Sequence, residues 1–504
     1  AKLSNAALKE ALPGIDISDG DIDLTVEKGV FRATGPVRIS GIPSKLAWER
    51  GPAPEFRQSA VIETQLDGEQ RRTLGIDLGT FARGPIGVKA IIPDLGDPQG
   101  KVEVEADLSE VELRVQAISW FRPAAAKTLA KLVYYSKGEK GPRVEDLEIK
   151  GKGLLVKGDL SLAPKRQGLR SARLSDVRLS DENRFTADIT VRGSGTAIAI
   201  TGAAFDARPL IRSMFGSRNR GDAGEPAANQ KQPAKDEKAE KPVSVSLNLE
   251  RLYANRGEIV TGVKGSLTAQ GGRLEKAEIE GSFLNGQPVV FRVTPVEGGR
   301  EMRINGRDGG AAIRAANLYS KVAGGQIEFY ALLGKDDSSV KDGRLVLRNF
   351  EVRNEAALAE LDARGKPKRA GPRREALTFD KLTLPFTSDT RFIRIGESLV
   401  RGAELGASAE GLIRKSDGAV DITGTIIPVY ALNAALGDIP LFGDILTGGK
   451  GQGIIGVTFA LGGTVDKPAF QMNPVSAVAP GIFRKFFEYG QTGSGNGNRK
   501  PKNN

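Results

Sequence analysis

The chain of 504 residues has no histidine and no cysteine, which excludes disulfide bonds, thiolate metal sites and every Ser-His or Cys-His nucleophile pair. Its 27% charged and 39% hydrophobic composition is typical of a folded soluble protein that buries a large core. Lys and Arg number 73 against 62 Asp and Glu, and the net charge of +11 would suit anionic lipid head groups or nucleic acid. Because the two signs are interleaved, a solvated, slightly basic surface is favoured.

Short runs of alternating apolar and polar residues begin at Asp21 and recur through the first 200 residues, separated by Gly, Pro or Asp. A period of two is typical of strands that bury one face. The predicted strands are Ile22–Val26, Val37–Ile39, Val61–Leu66, Thr73–Leu78, Val102–Leu108, Val111–Val115, Val144–Ile149, Leu154–Leu162, Ala172–Leu179 and Phe185–Ile200. Their regular spacing predicts a long antiparallel meander.

One segment, Trp120–Tyr135, interrupts this rhythm and is predicted to be a helix. Pro123 suits a first helical turn, and apolar residues then recur at helical spacing. We expect this helix to cover one end of a sheet. Contact with a membrane surface is the alternative, which Trp120 beside Lys127 and Lys131 favours.

A second short helix is predicted at Asp206–Phe215. The segment that follows, Arg218–Pro242, mixes both charge signs and has almost no large apolar residue. It offers too little apolar surface to offset the entropy of ordering. Residues 216–242 are therefore predicted to be a disordered charged loop or linker.

The clearest strand pattern is Val243–Leu249, in which apolar residues alternate with Ser244, Ser246 and Asn248. One face of this strand is apolar and the other is polar. Further predicted strands are Ile259–Ala269, Leu274–Phe283, Val289–Pro295, Glu301–Asn305 and Gly343–Val352, and further predicted helices are Ala311–Val322 and Glu355–Asp362. The basic loop Arg364–Arg374 could bind phosphates, but a solvated loop is the commoner explanation.

The most distinctive stretch is Gly424–Tyr489. Apolar helical turns are predicted at Val429–Leu436 and Leu441–Leu446, where they would form a plug or cap, and a strand is predicted at Ile454–Leu461. The stretch also contains a G-x-G-x-x-G pattern that ends at Gly456. Because a strand pattern rather than a helix follows it, the pattern favours a turn over a dinucleotide site.

This stretch resembles the C-terminal region of the AsmA superfamily, in particular its long YhdP-like members. The resemblance lies in PVYALNAALGDIPLFGDILTGGKGQGIIGVTF, which begins at Pro428, and in NPVSAVAPGIFRKFF, which begins at Asn473. NLYSKVAGGQIEFYALLG, from Asn317, resembles the same region. The similarity is clearest over Ala311–Tyr489 and more diffuse over Ala1–Phe215. The basic loop departs from the family pattern, in which a longer apolar helical segment is expected.

The resemblance implies a bacterial envelope protein that carries phospholipid across the periplasm toward the outer membrane along a β-sheet groove. It implies an inner-membrane anchor that precedes this chain, because no run of about 18 apolar residues occurs here. The expected partners are phospholipid acyl chains and a membrane at the C-terminal end, with no nucleic acid and no cofactor. Protein partners are unknown.

The predicted fold class is mainly β: a long antiparallel meander that forms an elongated, twisted, incurved open sheet with a hydrophobic groove and a few short capping helices. Periodicity alone does not separate an open groove from a sheet that packs on itself. The predicted divisions are a β-groove segment at 1–215, the linker at 216–242, a continuing β-groove segment at 243–325, an AsmA-like C-terminal region at 326–490 and a disordered tail at 491–504.

Candidate site residues are of two kinds. The candidates for lining a lipid groove are Val243, Val245, Leu247, Leu249, Ile327, Phe329, Val457, Phe459 and Leu461. The candidates for membrane contact are the aromatic and cationic residues of the tail, Ile482, Phe483, Arg484, Lys485, Phe486 and Phe487, which suit a membrane interface or an apolar plug equally.

Two alternatives to lipid transfer follow from the residues. One is a structural scaffold or regulator of outer-membrane assembly whose β core packs on itself. The other is an enzyme, which the absence of histidine and of any distinctive carboxylate pair argues against. We therefore expect no catalytic residues and no metal site.

Overall fold

The computed structural model describes residues 1–12, 15–52, 57–76, 78–79, 81–164, 168–215, 241–335, 339–353, 376–403, 405–428, 457–465 and 467–473. The chain divides into two compact units. Unit 1 comprises Ala1–Phe215 and Glu225–Gly286, and unit 2 comprises Gly216–Gly224 and Gln287–Asn504. The described residues are mainly β, and the main sheet is open rather than closed on itself, so the predicted fold class is confirmed.

Unit 1 contains a long sheet in which each strand pairs with the next along the chain, apart from three short strands. The strands of unit 1 are β1 (Lys2–Leu12), β2 (Ile15–Glu27), β3 (Val30–Ile39), β4 (Ile42–Arg50), β5 (Gln58–Leu66), β6 (Ala82–Arg83), β7 (Ile86–Ile92), β8 (Lys101–Asp107), β9 (Glu112–Val115), β10 (Trp120–Arg122), β11 (Thr128–Tyr135), β12 (Arg143–Gly151), β13 (Leu154–Leu162), β14 (Leu169–Arg178), β15 (Arg184–Arg192), β16 (Gly195–Asp206), β17 (Val243–Tyr253), β18 (Ile259–Gln270) and β19 (Arg273–Phe283). β6, β9 and β10 form a separate three-stranded sheet, which we call the small sheet.

One pair in this sheet departs from the predicted antiparallel meander. β16 and β17 are parallel, with Thr196 opposite Val243 and Asp206 opposite Tyr253. A parallel pair requires the connecting chain to return to the end where the first strand began. Residues 207–242 make this connection, so the long charged segment joins the end of one strand to the opposite end of its neighbour.

Two α-helices follow strands of unit 1. α1 (Gly68–Thr73) begins at Asp67, whose side chain accepts hydrogen bonds from the backbone amides of Glu69 and Gln70. The Gln70 side chain in turn accepts a bond from the Asp67 amide, which completes a capping box. α2 (Arg208–Phe215) follows β16, close to the predicted helix Asp206–Phe215. Short 3-10 turns lie at Gln116–Ile118 and Asn255–Gly257.

The described residues of unit 2 form an antiparallel meander and one short helix, α3 (Gly309–Ala315). Its strands are β20 (Pro288–Val296), β21 (Gly299–Gly306), β22 (Val322–Ala323), β23 (Gln326–Gly334), β24 (Val340–Arg353), β25 (Ala376–Ser388), β26 (Phe392–Arg401), β27 (Leu405–Arg414), β28 (Val420–Pro428), β29 (Val457–Thr464) and β30 (Lys467–Asn473). Each long strand pairs with the next long strand, and β22 pairs with β24.

The predicted helix at Trp120–Tyr135 is wrong. This segment forms β10, a turn and β11, and β11 pairs with β8 on one side and β12 on the other. Backbone pairing on both sides outweighs local helical spacing, because the side chains then pack on a sheet. The alternative of a helix on a membrane surface is therefore unsupported, because this segment does not form a helix.

Three further expectations are corrected. Thr73–Leu78 is not a strand, because the capped helix α1 ends at Thr73. Phe185–Ile200 contains the turn between β15 and β16. Only the first part of Ala311–Val322 is helical, since α3 ends at Ala315. The carbonyl groups of Gly324 and Gly325, both at positive φ, accept hydrogen bonds from the amides of Gly310 and Gly309, and these bonds hold the segment after β22 beside the start of α3.

Several predictions lie outside the described residues. They are the linker 216–240, the helix Glu355–Asp362, the basic loop Arg364–Arg374, the two apolar turns at Val429–Leu436 and Leu441–Leu446, the G-x-G-x-x-G pattern, and the tail 474–504. The strand predicted at Ile454–Leu461 is described from Val457, where β29 begins.

Candidate functional site: the apolar sheet faces

Apolar residues of unit 1 line up across the sheet, because directly paired residues of neighbouring strands lie on the same face. Two rows cross ten strands each. The row we call the open-end row is Val102, Tyr134, Val144, Leu160, Ala172, Ile189, Ile198, Val245, Leu267 and Ala277. The closed-end row is Val88, Ala106, Ala130, Ile149, Val156, Val177, Phe185, Gly202, Leu249 and Val263.

The small sheet and α2 cover the closed-end row. Leu113 of β9 packs with residues of this row around Ala130, and Ile118 packs in the cluster that contains Val177 and Phe185. The indole N–H of Trp120 donates to the carbonyl of Leu179 at 3.1 Å, which ties β10 to the end of β14. Leu210 and Ile211 of α2 also pack in the Val177–Phe185 cluster.

Burial changes along β15 and β17, although in β14 both Ala172 and Val177 are buried. In β17 the Leu249 side chain is 2% exposed, whereas Val243, Val245 and Leu247 are half-buried on the same face. In β15 Phe185 is buried and Ile189 is half-buried. The predicted groove residues of β17 thus share one apolar face, and that face becomes more accessible toward the start of the strand.

No second sheet lies on the open-end row among the described residues of unit 1. The elements of this unit that pack on the apolar face are the small sheet, the 3-10 turn before β10 and α2, all at one end of the strands. A one-sided sheet normally hides its apolar face against another layer. Here Tyr134, Leu160, Ile189, Ile198, Val245 and Leu267 of the open-end row remain half-buried, whereas Val144 and Ala172 are buried.

The opposite face of unit 1 carries charges that alternate in sign from strand to strand. The residues of this charge ladder are Lys45, Glu63, Lys89, Glu105, Lys131, Glu148, Lys157 and Asp176, each directly opposite the next. Nζ of Lys131 lies 2.6 Å from Oε1 of Glu105, and Nζ of Lys157 lies 2.7 Å from Oε2 of Glu148. Each exposed pair stabilises little, about 0–1 kcal/mol, but the alternation disfavours a shifted register.

Ionisation of the ladder follows these contacts. The hydrogen bond from Lys131 lowers the pKa of Glu105, and the hydrogen bond from Lys157 lowers the pKa of Glu148. The bond with Glu105 raises the pKa of Lys131 in turn. Both signs therefore remain charged at neutral pH, and the ladder makes this face of the sheet hydrophilic.

Unit 2 has its own apolar rows. One row runs Val293, Met302, Ala331, Gly343, Phe386, Ile395, Gly411, Ile422, Leu461 and Phe470. Ile327 is 5% exposed and packs with Leu347, Phe350 and Ile313 of α3, whereas Phe329 is half-buried and its ring centroid lies 5.7 Å from that of Phe386.

The structure brings the remaining predicted groove residues of unit 2 to one end of its meander. Leu461 and Phe459 are half-buried on β29, and the Phe459 ring stacks on Phe470 with centroids 5.4 Å apart. Val457 pairs through its backbone with Ile426. The register places Ile327, Phe329, Phe459 and Leu461 on the same face of this meander.

Phenylalanine rings cover glycines on this face. A Cβ at Gly424 would lie 2.6 Å from the Phe459 ring, and a Cβ at Gly343 would lie 2.5 Å from the Phe386 ring. The rings therefore rest on the backbone of the neighbouring strand, and the glycines leave space for them. This arrangement keeps the aromatic residues flat against the sheet.

Two cavities are lined by charged residues together with apolar residues of the sheet, which are Phe329 and Val346 in the first and Val144, Leu160, Ala172 and Ile189 of the open-end row in the second. One, of about 530 Å³, is lined in unit 2 by residues that include Arg303, Tyr330 and Arg344. The other, of about 670 Å³, is lined in unit 1 by residues that include Asp159, Arg173 and Asp188, where Nε of Arg173 lies 3.2 Å from a carboxylate oxygen of Asp188. Neither cavity is an enclosed site for an apolar ligand.

Sequence reasoning missed most of the apolar face of unit 1. Tyr134, Leu160, Ile189 and Ile198 lie in the same rows as the residues chosen on β17. The alternation of apolar and polar residues in these strands could have identified them. This alternation is weaker in β12 to β16 than in β17, because alanines and register shifts interrupt the apolar positions.

The predicted membrane-contact residues Ile482, Phe483, Arg484, Lys485, Phe486 and Phe487 lie outside the described residues. Within the described ranges, none of the helices combines the length and apolar character needed to cross a membrane. The same ranges contain no group of three or more acidic side chains that could hold a metal ion. Comparisons with protein-family models, with curated proteins and with solved structures give no match to this chain.

Proposed function

We propose that this protein binds phospholipid acyl chains on the apolar faces of its sheet and shields them from water, without catalysing a reaction. The observation that carries the proposal is the open-end row of unit 1, an apolar row across ten strands in which seven side chains are half-buried and Val144, Ala172 and Ala277 are buried. Apolar side chains that stay partly accessible to water along such a row favour an apolar ligand.

The resemblance of the C-terminal stretch to the AsmA superfamily supports a cellular setting for this activity. In that setting the protein is periplasmic, is associated with the inner membrane, and acts as a bridge for phospholipid toward the outer membrane. The charge ladder on the opposite face supports an aqueous surrounding for the back of the sheet.

The second candidate function is a scaffold or regulator of outer-membrane assembly whose apolar faces pack against protein. The buried cluster around Leu249, Val263 and Phe205 favours it, because part of unit 1 is already a protein-packed core. The two functions differ in what covers the accessible part of Val245 and Ile198, which are half-buried and pack against this cluster.

The test is mass spectrometry of the organic extract from protein purified without detergent. We expect phospholipid in at least stoichiometric amount. Val245→Asp places a charge on the apolar row, whereas the adjacent Ser246→Asp places the same charge on the exposed opposite face. We expect the first variant to lose most bound lipid and the second to retain it, with both folded by far-ultraviolet circular dichroism.

If Val245→Asp does not fold, Val245→Thr and Ile198→Thr reduce the apolar surface without a charge, and bound lipid should fall in both. A lipid-free wild-type protein that is destabilised by Val245→Asp would contradict the proposal. That result would favour the scaffold, because the apolar row would then be packed against protein.

A further inference from the structure

The two ends of the strands in unit 1 differ in how the apolar face terminates. At the closed end, where β11 begins, the small sheet and α2 lie on the face, and Val177, Phe185 and Leu249 are at most 7% exposed. At the open end, where β11 turns into β12, no such element covers the face among the described residues of the unit.

The apolar rows continue to the last residues at the open end. Leu162 pairs with Leu169 across β13 and β14, and Val191, Thr196 and Val243 are successive partners across β15, β16 and β17. These side chains are half-buried. An acyl chain on this face therefore meets apolar surface up to the open end, and meets covering protein at the closed end.

Cations follow immediately after the last apolar residues of the open end. We call these residues the cationic rim: Lys137, Lys140, Arg143, Arg170, Arg192, Lys241 and Arg273. Acids lie at this end as well: Glu139 shares the turn of Lys137 and Lys140, and the turn before β8 carries Asp94 and Asp97. Arg143 pairs with Glu145, and Arg273 pairs with Glu275. The rim cations recur at successive hairpin turns, about 10 Å apart, which is two strand spacings.

Five of the seven rim cations have no ionic partner among the described residues. Lys137, Lys140, Arg170, Arg192 and Lys241 are exposed and make no ion pair there. Acids are more frequent at the closed end, where Arg208 bonds both Asp206 and Glu182. The charge of the rim is therefore available to an anion from outside this part of the chain.

We propose that unit 1 binds diacyl phospholipid in one orientation, with the acyl chains on the apolar rows and the phosphate head group at the cationic rim, so that anionic phospholipids are preferred. The inference rests on the proposed lipid-binding function. Apolar surface and cations in this order match the chemistry of an anionic phospholipid. The repeated spacing of the rim allows several lipids to lie side by side with their head groups in one line.

The orientation is tested with single labels, because the chain has no cysteine. Ser194→Cys lies in the exposed turn beside the rim, and Lys152→Cys lies in an exposed turn at the closed end. Each carries a fluorophore, and the protein is loaded with phosphatidylglycerol that contains either a head-group nitroxide lipid or a chain-terminal nitroxide lipid.

We expect the head-group nitroxide to quench the label at 194 more than the label at 152, and the chain-terminal nitroxide to reverse this order. Equal quenching at the two positions, or the opposite order, overturns the orientation. The labels occupy exposed turns and leave the apolar rows unchanged, so both proteins should load the same amount of lipid.

The preference is tested by charge reversal. The rim variant combines Lys140→Glu, Arg170→Glu, Arg192→Glu and Lys241→Glu. Its control combines Lys127→Glu, Lys150→Glu, Lys152→Glu and Arg256→Glu, which make the same change in net charge at exposed positions of the closed end. Both load from vesicles with equal phosphatidylglycerol and phosphatidylcholine.

Wild type and control should enrich phosphatidylglycerol by roughly two- to five-fold, the scale of one exposed ion pair, and the rim variant should lose this enrichment while it still binds lipid. An unchanged enrichment in the rim variant, or an equal loss in the control, overturns the inference and leaves the proposed function standing. Wild-type protein that binds no lipid overturns both.

Discussion

The indole N–H of Trp120 donates to the carbonyl oxygen of Leu179 at 3.1 Å, across 59 residues of sequence. This bond fixes the small sheet to the end of β14 and so determines which end of unit 1 is closed. Under the proposed function, an acyl chain would enter from the opposite end.

Trp120→Phe should loosen the small sheet without unfolding unit 1. The phenyl ring retains part of the apolar contact but lacks the donor, and a bond of this kind contributes about 1 kcal/mol. We expect amide hydrogen exchange over residues 112–122 to accelerate by about fivefold, with exchange in β15 and β16 unchanged. Acceleration spread over the whole unit would contradict this local role.

Leu249→Ala and Leu247→Ala compare one residue type at two positions of the same face. Leu249 is 2% exposed within the buried cluster, and Leu247 is half-buried beside it. We expect Leu249→Ala to lower the free energy of unfolding by about 2–4 kcal/mol and Leu247→Ala by less than half of that. The measurement is urea denaturation of lipid-free protein, and equal losses would mean that both positions are covered.

Exchange of Lys131 and Glu105 tests whether the charge ladder acts as a row. Lys131→Glu leaves one attractive and two repulsive contacts among Lys89, residue 105, residue 131 and Glu148. The double variant Lys131→Glu with Glu105→Lys also leaves one attractive and two repulsive contacts, because each exchanged residue then faces a like charge. We expect the two variants to have equal melting temperatures, below that of wild type. Full recovery in the double variant would mean that the pair acts alone.

The ladder also predicts a pH dependence of stability. The pKa values of Glu105 and Glu148 are lower in the folded protein than the ordinary value of 4.5. Their contribution to stability is therefore fully present above that value and is lost as the pH falls through the lowered pKa values. We expect Glu105→Gln with Glu148→Gln to melt below wild type at neutral pH, and the difference to shrink as the pH falls below about 4. A difference that does not change with pH would contradict this assignment.

Gly424→Ala should destabilise unit 2, because its Cβ would lie 2.6 Å from the Phe459 ring and 2.1 Å from the Ser408 carbonyl oxygen. Overpacking of this kind costs about 1–3 kcal/mol. Gly462→Ala is the matched control, since no atom lies within 4 Å of its added Cβ. We expect a lower denaturation midpoint for the first variant alone. Equal effects would mean that glycine flexibility rather than ring contact sets the cost.

Alternation of apolar residues predicted a mainly β chain and most long strands, whereas the open sheet was predicted from the family resemblance. In β17 the pattern from Val243 to Leu249 agrees with the observed face, because every second residue is half-buried or buried. The order of the strands also followed, since consecutive strands pair when short turns join them. The lipid-lining role of these residues stays a prediction.

Long-range contacts decided what the sequence did not predict. Local spacing favours a helix at Leu129, Leu132 and Val133, but pairing with β8 and β12 makes the segment a strand. The parallel pairing of β16 with β17 depends on the long connection between them. The composition of that connection does not indicate whether the two strands run parallel or antiparallel. The cationic rim could not be predicted from the sequence either, because Lys140, Arg192 and Lys241 come to the same end of the sheet only through its strand pairing.

The strands of each meander contact mainly their immediate neighbours, and this has a consequence for how the chain folds during synthesis. Each new hairpin can dock on the strand before it as soon as it emerges, so most of unit 1 requires only short loop closures. The parallel pair is the exception: β17 must wait until residues 207–242 have been made, and β16 presents an unpaired edge until then. The first 206 residues would therefore be most exposed to aggregation at that moment, and the polar, charged connection that follows delays the completion of the sheet.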